Sequence, residues 1–248
     1  MNLQKVRTLL ICALVQIGSV FFTVSASAQS QSRERSTSEL GIGLGGVVYK
    51  GEIAPRYRFL SNRPALTVFY KKDVSRALSL RANLLLGRVN ADDAQYEERL
   101  PLAAYRKATV STSILELGGG IDFNFLDYYD FRRNVRWTPY FTLGVAGLVY
   151  NNKTTGADPT ILYPETGTND SYRTSFAVAV PIGVGIKYAL THHWNLGVEF
   201  GARVLFTDMF DNLSGQNEKV MNPHHNDWYF YNGISLSYTF YRINCPQD

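Results

Sequence analysis

A strict two-residue alternation runs through Asn195–Phe206, whose sequence is NLGVEFGARVLF. One set of alternate residues is wholly apolar: Leu196, Val198, Phe200, Ala202, Val204 and Phe206. The other set is mostly small or polar, and it carries Glu199 and Arg203. Successive side chains of a β-strand point to opposite faces of the sheet. The stretch therefore predicts a strand with one apolar face and one mixed face.

The same alternation recurs along most of the chain, and no segment there shows a helical period. Glycine is frequent inside the segments, where it marks bends or close backbone approach. The eight predicted strands are Glu39–Val48, Pro64–Lys72, Leu78–Val89, Thr112–Leu126, Thr138–Tyr150, Ser175–Leu190, Asn195–Phe206 and Asp227–Phe240.

The connections between these segments alternate in length. The shorter ones are Asp73–Ala77, Asp127–Trp137 and Thr191–Trp194. The longer ones are Tyr49–Arg63, Asn90–Ser111, Asn151–Thr174 and Thr207–Asn226. Short turns on one side and long loops on the other, over an even number of strands, are typical of outer-membrane β-barrels. We therefore expect an all-β, eight-stranded antiparallel transmembrane barrel in the outer membrane, with both termini in the periplasm.

In such a barrel the apolar face contacts lipid and the mixed face lines the interior. A lipid-facing Arg would cost roughly 2–4 kcal/mol at the bilayer midplane. A barrel of this size is filled by its own side chains, so no pore is expected. The predicted lumen charge network balances three cations against three carboxylates: Arg81, Glu116, Asp122, Lys187, Glu199 and Arg203.

Two details of this arrangement can be predicted from the sequence. Glu199 and Arg203 are four residues apart on one strand, so each is expected to pair with a charge on another strand. Aromatic residues near strand ends predict two girdles at the level of the lipid headgroups. These residues are Tyr70, Trp137, Tyr140, Tyr150, Tyr188, Trp194, Trp228 and Tyr229.

The alternative is a soluble barrel of the lipocalin kind, with the apolar face inward. Its polar face would contact water and would be rich in Lys and Glu. Here the polar face is rich in Gly and Ala, as a crowded interior requires, and the loop lengths alternate. Both features favour the membrane barrel.

The N-terminus has the features of a secretory signal peptide. Lys5 and Arg7 precede an apolar run, Leu9–Val24, and a small-x-small cleavage site ends at Ala28. An uncleaved membrane anchor is the alternative. Cys12 lies inside the apolar run without a small residue before it, which argues against a lipoprotein. The predicted organisation is a signal peptide (1–28), a flexible periplasmic segment (29–38), the barrel (39–240) and a periplasmic tail (241–248).

Charge and cysteine content exclude some classes of function. The formal net charge is +4, and it falls to about +2 once Lys5 and Arg7 leave with the signal peptide, too little to predict nucleic-acid binding. Cys245 would be the one cysteine of the mature chain, so no intrachain disulfide is expected. Its thiol would be unpaired or would form an intermolecular disulfide in the periplasm.

The histidines form two adjacent pairs, His192–His193 in a short connection and His224–His225 in the last long one. Neighbouring residues on a strand point apart, which is poor spacing for a metal site. We expect solvated histidines, no metal or cofactor, and no small-molecule substrate. A lipid-modifying enzyme is an alternative, because a nucleophile and its base could come from a set in the last long connection. That set is Ser214, His224 or His225, and Asp208 or Asp211.

The connection Asp127–Trp137 carries Arg132, Arg133 and Arg136 among aromatic residues. It predicts either a solvated turn with headgroup contacts or a docking patch for a periplasmic partner, since Arg and Tyr are enriched at interface hot spots. Further candidates for docking lie on the same predicted side: His192, His193, Arg242 and Cys245.

Several stretches resemble the PorG-like family of outer-membrane barrels. They are ELGIGLGGVVYKGEI, SLRANLLLGRVNADDA, SILELGGGIDFNFL, TPYFTLGVAGLVYNN, VPIGVGIKYALTHHWNLGVEFGARVLFTDMFDNLSG and NDWYFYNGISLSYTF. They cover nearly the whole mature chain in order, and Pro181–Gly215 is the most specific part.

The resemblance implies a non-enzymatic outer-membrane component of the type IX protein secretion system. Such a protein would anchor or help assemble a periplasmic ring made of a lipoprotein (PorK/GldK-like) and its partner (PorN/GldN-like), besides contacting outer-membrane lipid. Cargo would cross through a separate, much larger barrel. No catalytic residues carry over. A surface barrel that acts through its long loops is a further alternative.

Overall fold

Eight β-strands form where the two-residue alternation predicts them. The computed structural model describes residues 37–50, 62–92, 109–128, 136–155, 173–206 and 227–241. The strands are β1 Thr37–Lys50, β2 Arg63–Asp73, β3 Leu78–Asp92, β4 Thr109–Asn124, β5 Trp137–Thr155, β6 Arg173–Ala189, β7 Trp194–Leu205 and β8 Trp228–Tyr241. The described residues contain no helix with the length and hydrophobicity of a membrane-spanning helix. Thr37, Ser38 and Tyr241 belong to strands rather than to the predicted flanking segments.

Each strand pairs antiparallel with its neighbours in chain order, and β8 pairs back onto β1 from Thr37–Tyr241 to Lys50–Trp228. The sheet is therefore a closed barrel without an exposed edge. Closure lets every strand satisfy its backbone N–H and C=O groups within the sheet, which a membrane interior requires. The prediction of a closed, antiparallel, eight-stranded barrel is confirmed.

The three shorter connections join β2 to β3, β4 to β5 and β6 to β7, at the end of the barrel where β1 begins and β8 ends. We call this the turn end and the opposite end the loop end. Residues 51–61, 93–108, 156–172 and 207–226, in the four longer connections, lie outside the described residues.

Two turns at the turn end share one hydrogen-bond pattern. The N–H groups of Val74 and Ser75 both donate to the carbonyl oxygen of Leu78, at 2.9 and 3.0 Å. The Ser75 hydroxyl oxygen accepts the Leu78 N–H at 3.1 Å. In the β6–β7 turn, the Thr191 N–H donates to the Trp194 carbonyl at 3.2 Å, and its hydroxyl accepts the Trp194 N–H at 3.1 Å. A hydroxyl side chain thus fixes each turn in the same way.

β6 continues through Pro181, which has no N–H to donate to a ladder. Its pairing with β5 runs from Trp137–Tyr188 to Leu143–Ile182 and resumes at Ala146–Ala179. The pairing with β7 continues past Pro181, which lies opposite Arg203. The interruption is therefore confined to one side of the strand.

The outward face of the barrel is apolar. Large exposed side chains occur on all eight strands, among them Leu44, Leu80, Leu117, Val145, Val184, Val198 and Ile234. A continuous apolar surface of this kind is unfavourable in water, and it matches the lipid-facing band of an outer-membrane barrel.

The aromatic girdles were predicted partly wrongly. Tyr70, Trp137, Tyr188, Trp194 and Trp228 are exposed on the outward face. Three other predicted members, Tyr140, Tyr150 and Tyr229, are buried inside the barrel. The physical reason is that they occupy the inward positions of their strands, and nearness to a strand end does not decide the face.

Asn232 is a polar outward side chain within this apolar face, between Phe230 and Ile234 on β8. Its amide pairs with that of Asn62, with Nδ2 to Oδ1 distances of 3.1 and 2.9 Å in the two directions. Asn62 lies over Gly46, the residue opposite Asn232 on β1, where a Cβ would approach Asn62 to 2.8 Å. The glycine makes room for the amide pair, which satisfies the Asn232 side chain.

Val184→Arg should destabilise the barrel in lipid by about 2–4 kcal/mol, because Val184 lies in the middle of the outward apolar band with 56% of its surface exposed. Thr174→Arg, at the loop end of the same strand, is the matched control and should cost at most about 1 kcal/mol. The measurement is denaturant titration of both variants folded into phospholipid vesicles. Equal costs at the two positions would contradict the lipid-facing assignment of β6.

Candidate functional site

Eight charged side chains of the described residues project into the lumen, form ion pairs with one another, and make up what we call the ionic network. None is more than 9% exposed. The members are Glu39, Lys71, Arg81, Glu116, Asp122, Lys187, Glu199 and Arg203. The structure places all six of the predicted charges inside the barrel and adds Glu39 and Lys71 to them.

The alternation contains a partial signal for the two additional charges. Lys71 and Lys72 are adjacent on β2, so one of them must face inward, and the alternation of Thr67, Phe69 and Lys71 identifies which. Glu39 was the first residue of the predicted strand, where the alternation has no preceding position for support.

Arg81 lies at the centre of the network. Its Nη1 is 2.6 Å from Glu199 Oε2 and 3.8 Å from Asp122 Oδ1. The Tyr140 hydroxyl donates to Glu199 Oε2 at 2.9 Å, and Lys71 Nζ is 2.7 Å from Asp122 Oδ2. The shortest ion pair of Glu199 is therefore with another strand.

Arg203 extends the network toward the loop end. Its Nε is 3.9 Å from Glu116 Oε2, and its Nη2 is 3.9 Å from Glu199 Oε1 on the same strand. The Tyr229 hydroxyl donates to Glu116. Same-strand pairing of Glu199 with Arg203 thus occurs, at a longer distance than its pairing with Arg81.

A second ion pair joins β1 to β6 across the lumen. Lys187 Nζ is 3.0 Å from Glu39 Oε2, and the Ser237 hydroxyl donates to Glu39 Oε1 at 2.6 Å. The ionic network thus contains four cations and four carboxylates. A further buried carboxylate, Asp227, accepts the Tyr49 hydroxyl at 2.5 Å toward the loop end. Buried charges require such partners, because an unpaired ion in a dry interior costs several kcal/mol.

Above the ionic network, toward the loop end, the lumen is filled by apolar and tyrosine side chains that we call the apolar plug. Its buried members include Val47, Tyr49, Leu85, Val89, Val110, Ile114, Leu148, Tyr150, Leu205, Tyr229 and Tyr231. The alternation weakens there because inward and outward positions are both apolar, so the sequence did not predict the plug. A cavity of about 30 Å³ beside Arg81, Glu116, Glu199 and Arg203 has room for no more than a few water molecules.

At the turn end the lumen is closed by Tyr128, from the β4–β5 connection. Its side chain is fully buried, and its hydroxyl donates to Asn195 Oδ1 at 2.5 Å. Lys187 Nζ lies 4.2 Å from the centre of its ring. Burial raises the pKa of the Tyr128 phenol, so it stays a neutral hydrogen-bond donor. The Asn195 amide in turn donates to the Thr239 hydroxyl at 2.8 Å.

Arg136, a predicted docking residue, contacts its own barrel. Its Nη2 donates to the Thr191 carbonyl at 2.8 Å, and its guanidinium lies 5.7 Å from the centre of the Tyr128 ring. Arg136 therefore joins the β4–β5 connection to the β6–β7 turn. Four other docking candidates are not among the described residues: Arg132, Arg133, Arg242 and Cys245.

His193 packs against the end of β8, and its neighbour His192 is exposed. The His193 ring stacks on Tyr238 at 5.1 Å with 6° between the planes. Its Nδ1 is 2.9 Å from the Thr239 carbonyl oxygen. The Tyr241 hydroxyl donates to the His192 carbonyl at 2.7 Å. The β6–β7 turn is thereby fixed to the last strand.

The described residues contain no group of three or more His, Cys, Asp or Glu side chains that could hold a metal ion. The set considered for a lipid-modifying enzyme falls outside these residues: Ser214, His224, His225, Asp208 and Asp211.

Closed topology, an apolar outer face and a filled interior together define an eight-stranded β-barrel of the outer-membrane type. The chain belongs to the family described as Domain of unknown function (DUF6089), whose model matches residues 16–246. No curated protein matches the chain.

The chain is similar to three solved structures. The attachment invasion locus protein Ail of Yersinia pestis is 10% identical, with a TM-score of 0.47 over 84% of this chain and 100% of Ail. The outer membrane protein OprG from Pseudomonas aeruginosa is 10% identical, with a TM-score of 0.47 over 86% of this chain and 99% of OprG. The outer membrane enzyme PagL is 10% identical, with a TM-score of 0.38 over 80% of this chain and 97% of PagL. These likenesses concern the fold alone.

Lys187→Met should destabilise the barrel by about 3–5 kcal/mol, because Glu39 would remain buried without its cation. The double variant Lys187→Met/Glu39→Gln should recover part of this loss. Arg76→Met is the control, since its 3.4 Å pair with Asp127 is exposed and should contribute at most about 1 kcal/mol. Denaturant titration in vesicles measures all three. Strict additivity of the two lumen substitutions would contradict the pairing.

The intact chain should form no steady ion channel in a planar lipid bilayer, because the apolar plug and Tyr128 close the two sides of the ionic network. A defined mixture of wild-type protein and phospholipid is fused to the bilayer, and current is recorded against a porin as positive control. Discrete and persistent conductance steps from the wild type would contradict the filled lumen.

Proposed function

We propose that this chain is a non-enzymatic outer-membrane component of the type IX protein secretion system, which anchors or helps assemble the periplasmic ring. The partners would be a PorK/GldK-like lipoprotein and its PorN/GldN-like partner. In this proposal the turn end faces the periplasm, the loop end faces outward, and the signal peptide directs export.

The filled lumen is the observation that carries the proposal. An interior closed by an ionic network, an apolar plug and Tyr128 supports a role in which nothing passes through the barrel. The contacts that define function would then be made at its ends. This agrees with the sequence resemblance, which implies that cargo crosses through a different protein.

The turn end is the part of the described surface best suited to a fixed contact. Arg136 and His193 join the turns to one another and to β8, so little conformational freedom is lost when a partner binds. Exposed side chains there combine apolar and basic character. Val74 and Leu190 are 54% and 50% exposed, and Arg76 and His192 are also exposed. Apolar contacts with basic neighbours suit an acidic protein surface.

Charge reversal in the β4–β5 connection, Arg132→Glu with Arg133→Glu, should reduce co-purification of the ring lipoprotein and its partner by roughly tenfold or more, because like charges across an interface cost several kcal/mol. Arg136 is left unchanged because it holds the turn. Lys50→Glu, an exposed cation at the loop end, is the matched control and should have no effect. The measurement is affinity purification of the tagged protein from gently solubilised membranes, with mass spectrometric quantification.

The outcomes separate the proposal from its competitors. Recovery of a lone barrel under conditions that keep the ring intact would overturn the secretion role. A change in lipid A structure on His224→Ala or His225→Ala, with secretion intact, would favour the lipid-modifying enzyme. Loss of function on deletion of the long loops, with the turns unaltered, would favour a surface barrel.

A further inference from the structure

On the outward face of β3, β4 and β5, apolar side chains are followed by polar ones at the same level on all three strands, toward the loop end. Leu86, Leu115 and Val149 lie side by side in the register, each 43% exposed, and form a continuous apolar row. The next outward position is one pleat, roughly 7 Å, further along each strand. All three of those positions are polar, so the apolar surface ends abruptly on three adjacent strands.

The polar row consists of Arg88, Ser113 and Asn151, all exposed. Arg88 lies opposite Ser113, and Ser113 lies opposite Asn151. Among the described residues no carboxylate forms an ion pair with Arg88. An exposed guanidinium thus lies next to a hydroxyl and an amide, directly above an apolar row.

Further donors adjoin this row on the same outward face. Asn90 Oδ1 accepts the Ser111 hydroxyl at 3.2 Å, which leaves the amide N–H groups of Asn90 to donate elsewhere. Lys153 lies half-buried opposite Ser111 on β5. The described carboxylate of this face, Asp92, is half-buried and accepts the Thr109 hydroxyl at 3.4 Å, beyond Asn90 on β3. Among the described residues, the patch therefore carries two cations, Arg88 and Lys153, against one carboxylate, Asp92.

We propose that this outward patch binds the phosphorylated headgroup of a membrane lipid, with Arg88 as the residue that contacts the phosphate. Arginine presents a planar fork of N–H donors that matches phosphate oxygens in pairs. Ser113, Asn90 and Asn151 supply neutral donors for the remaining oxygens.

The apolar row identifies a lipid rather than a soluble phosphate as the ligand. Acyl chains attached to the headgroup would lie on Leu86, Leu115 and Val149, one pleat from the phosphate. A free phosphate has no apolar group that could contact that row. The leaflet rests on the orientation given under the proposed function: with the loop end outward, the ligand is a phosphorylated lipid of the outer leaflet.

The test uses the purified full chain and lipid A as probe. Native mass spectrometry measures how much lipid A stays bound as detergent is increased, with dephosphorylated lipid A in a parallel series. Arg88→Gln should weaken lipid A retention by about tenfold or more, in line with the loss of a charged hydrogen bond. Lys72→Gln, which removes an exposed outward cation near the turn end, should leave retention at the wild-type value.

Equal retention of phosphorylated and dephosphorylated lipid would overturn the proposal, as would equal losses in the Arg88 and Lys72 variants. Displacement of lipid A by millimolar inorganic phosphate would also overturn it, since the ligand would then be free phosphate. No secretion readout enters the experiment, so its failure is distinguishable from a failure of the proposed function.

Discussion

The pairing of β8 with β1 is the interaction on which the rest of the structure depends. A strand in lipid cannot leave its N–H and C=O groups without partners, and closure removes the two edges at which they would be unpaired. Closure also creates a lumen, and an eight-stranded lumen is narrow enough to be filled by side chains. The alternation of apolar and mixed positions follows from closure, because each strand then has one face toward lipid and one toward its neighbours across the barrel.

The interior satisfies its polar groups in layers. Tyr128 and Asn195 form neutral hydrogen bonds at the turn end, charges balance in the middle, and apolar side chains fill the loop end. Burial of the charges brings little net stability by itself, because desolvation offsets much of the attraction between partners. Removal of a single charge is costly because its partner is left buried and unpaired, so the charges of the network depend on one another. Because side chains fill the lumen, a partner can bind only at the turn end, at the loop end or on the outward face.

Much of the fold could be predicted from the sequence because a membrane barrel has a simple period. The inward direction of Arg81 or Lys187 follows from the alternation. The closed barrel follows from the even number of strands and from connections of alternating length. The failures occur where alternation carries no information. Tyr140 and Tyr229 were assigned by their nearness to strand ends, and Leu85 lies where both faces are apolar.

The contacts within the candidate site were less predictable than the fold. Arg136 was proposed for docking on its residue type, but its partner Thr191 comes from a different turn. Such contacts depend on which turns closure brings together, which a local pattern does not contain.

The ionic network also has a consequence for strand register. A slip of β1 against β8 by one residue would turn the lipid-facing side chains of β1, such as Leu44, inward, so the lipid itself excludes it. A slip by two residues would keep all faces correct, and neither alternation nor lipid would penalise it. It would, however, move Glu39 away from Lys187 and Ser237 and leave a buried carboxylate unpaired. The charges inside the barrel thus distinguish between strand registers that place the same side chains toward lipid.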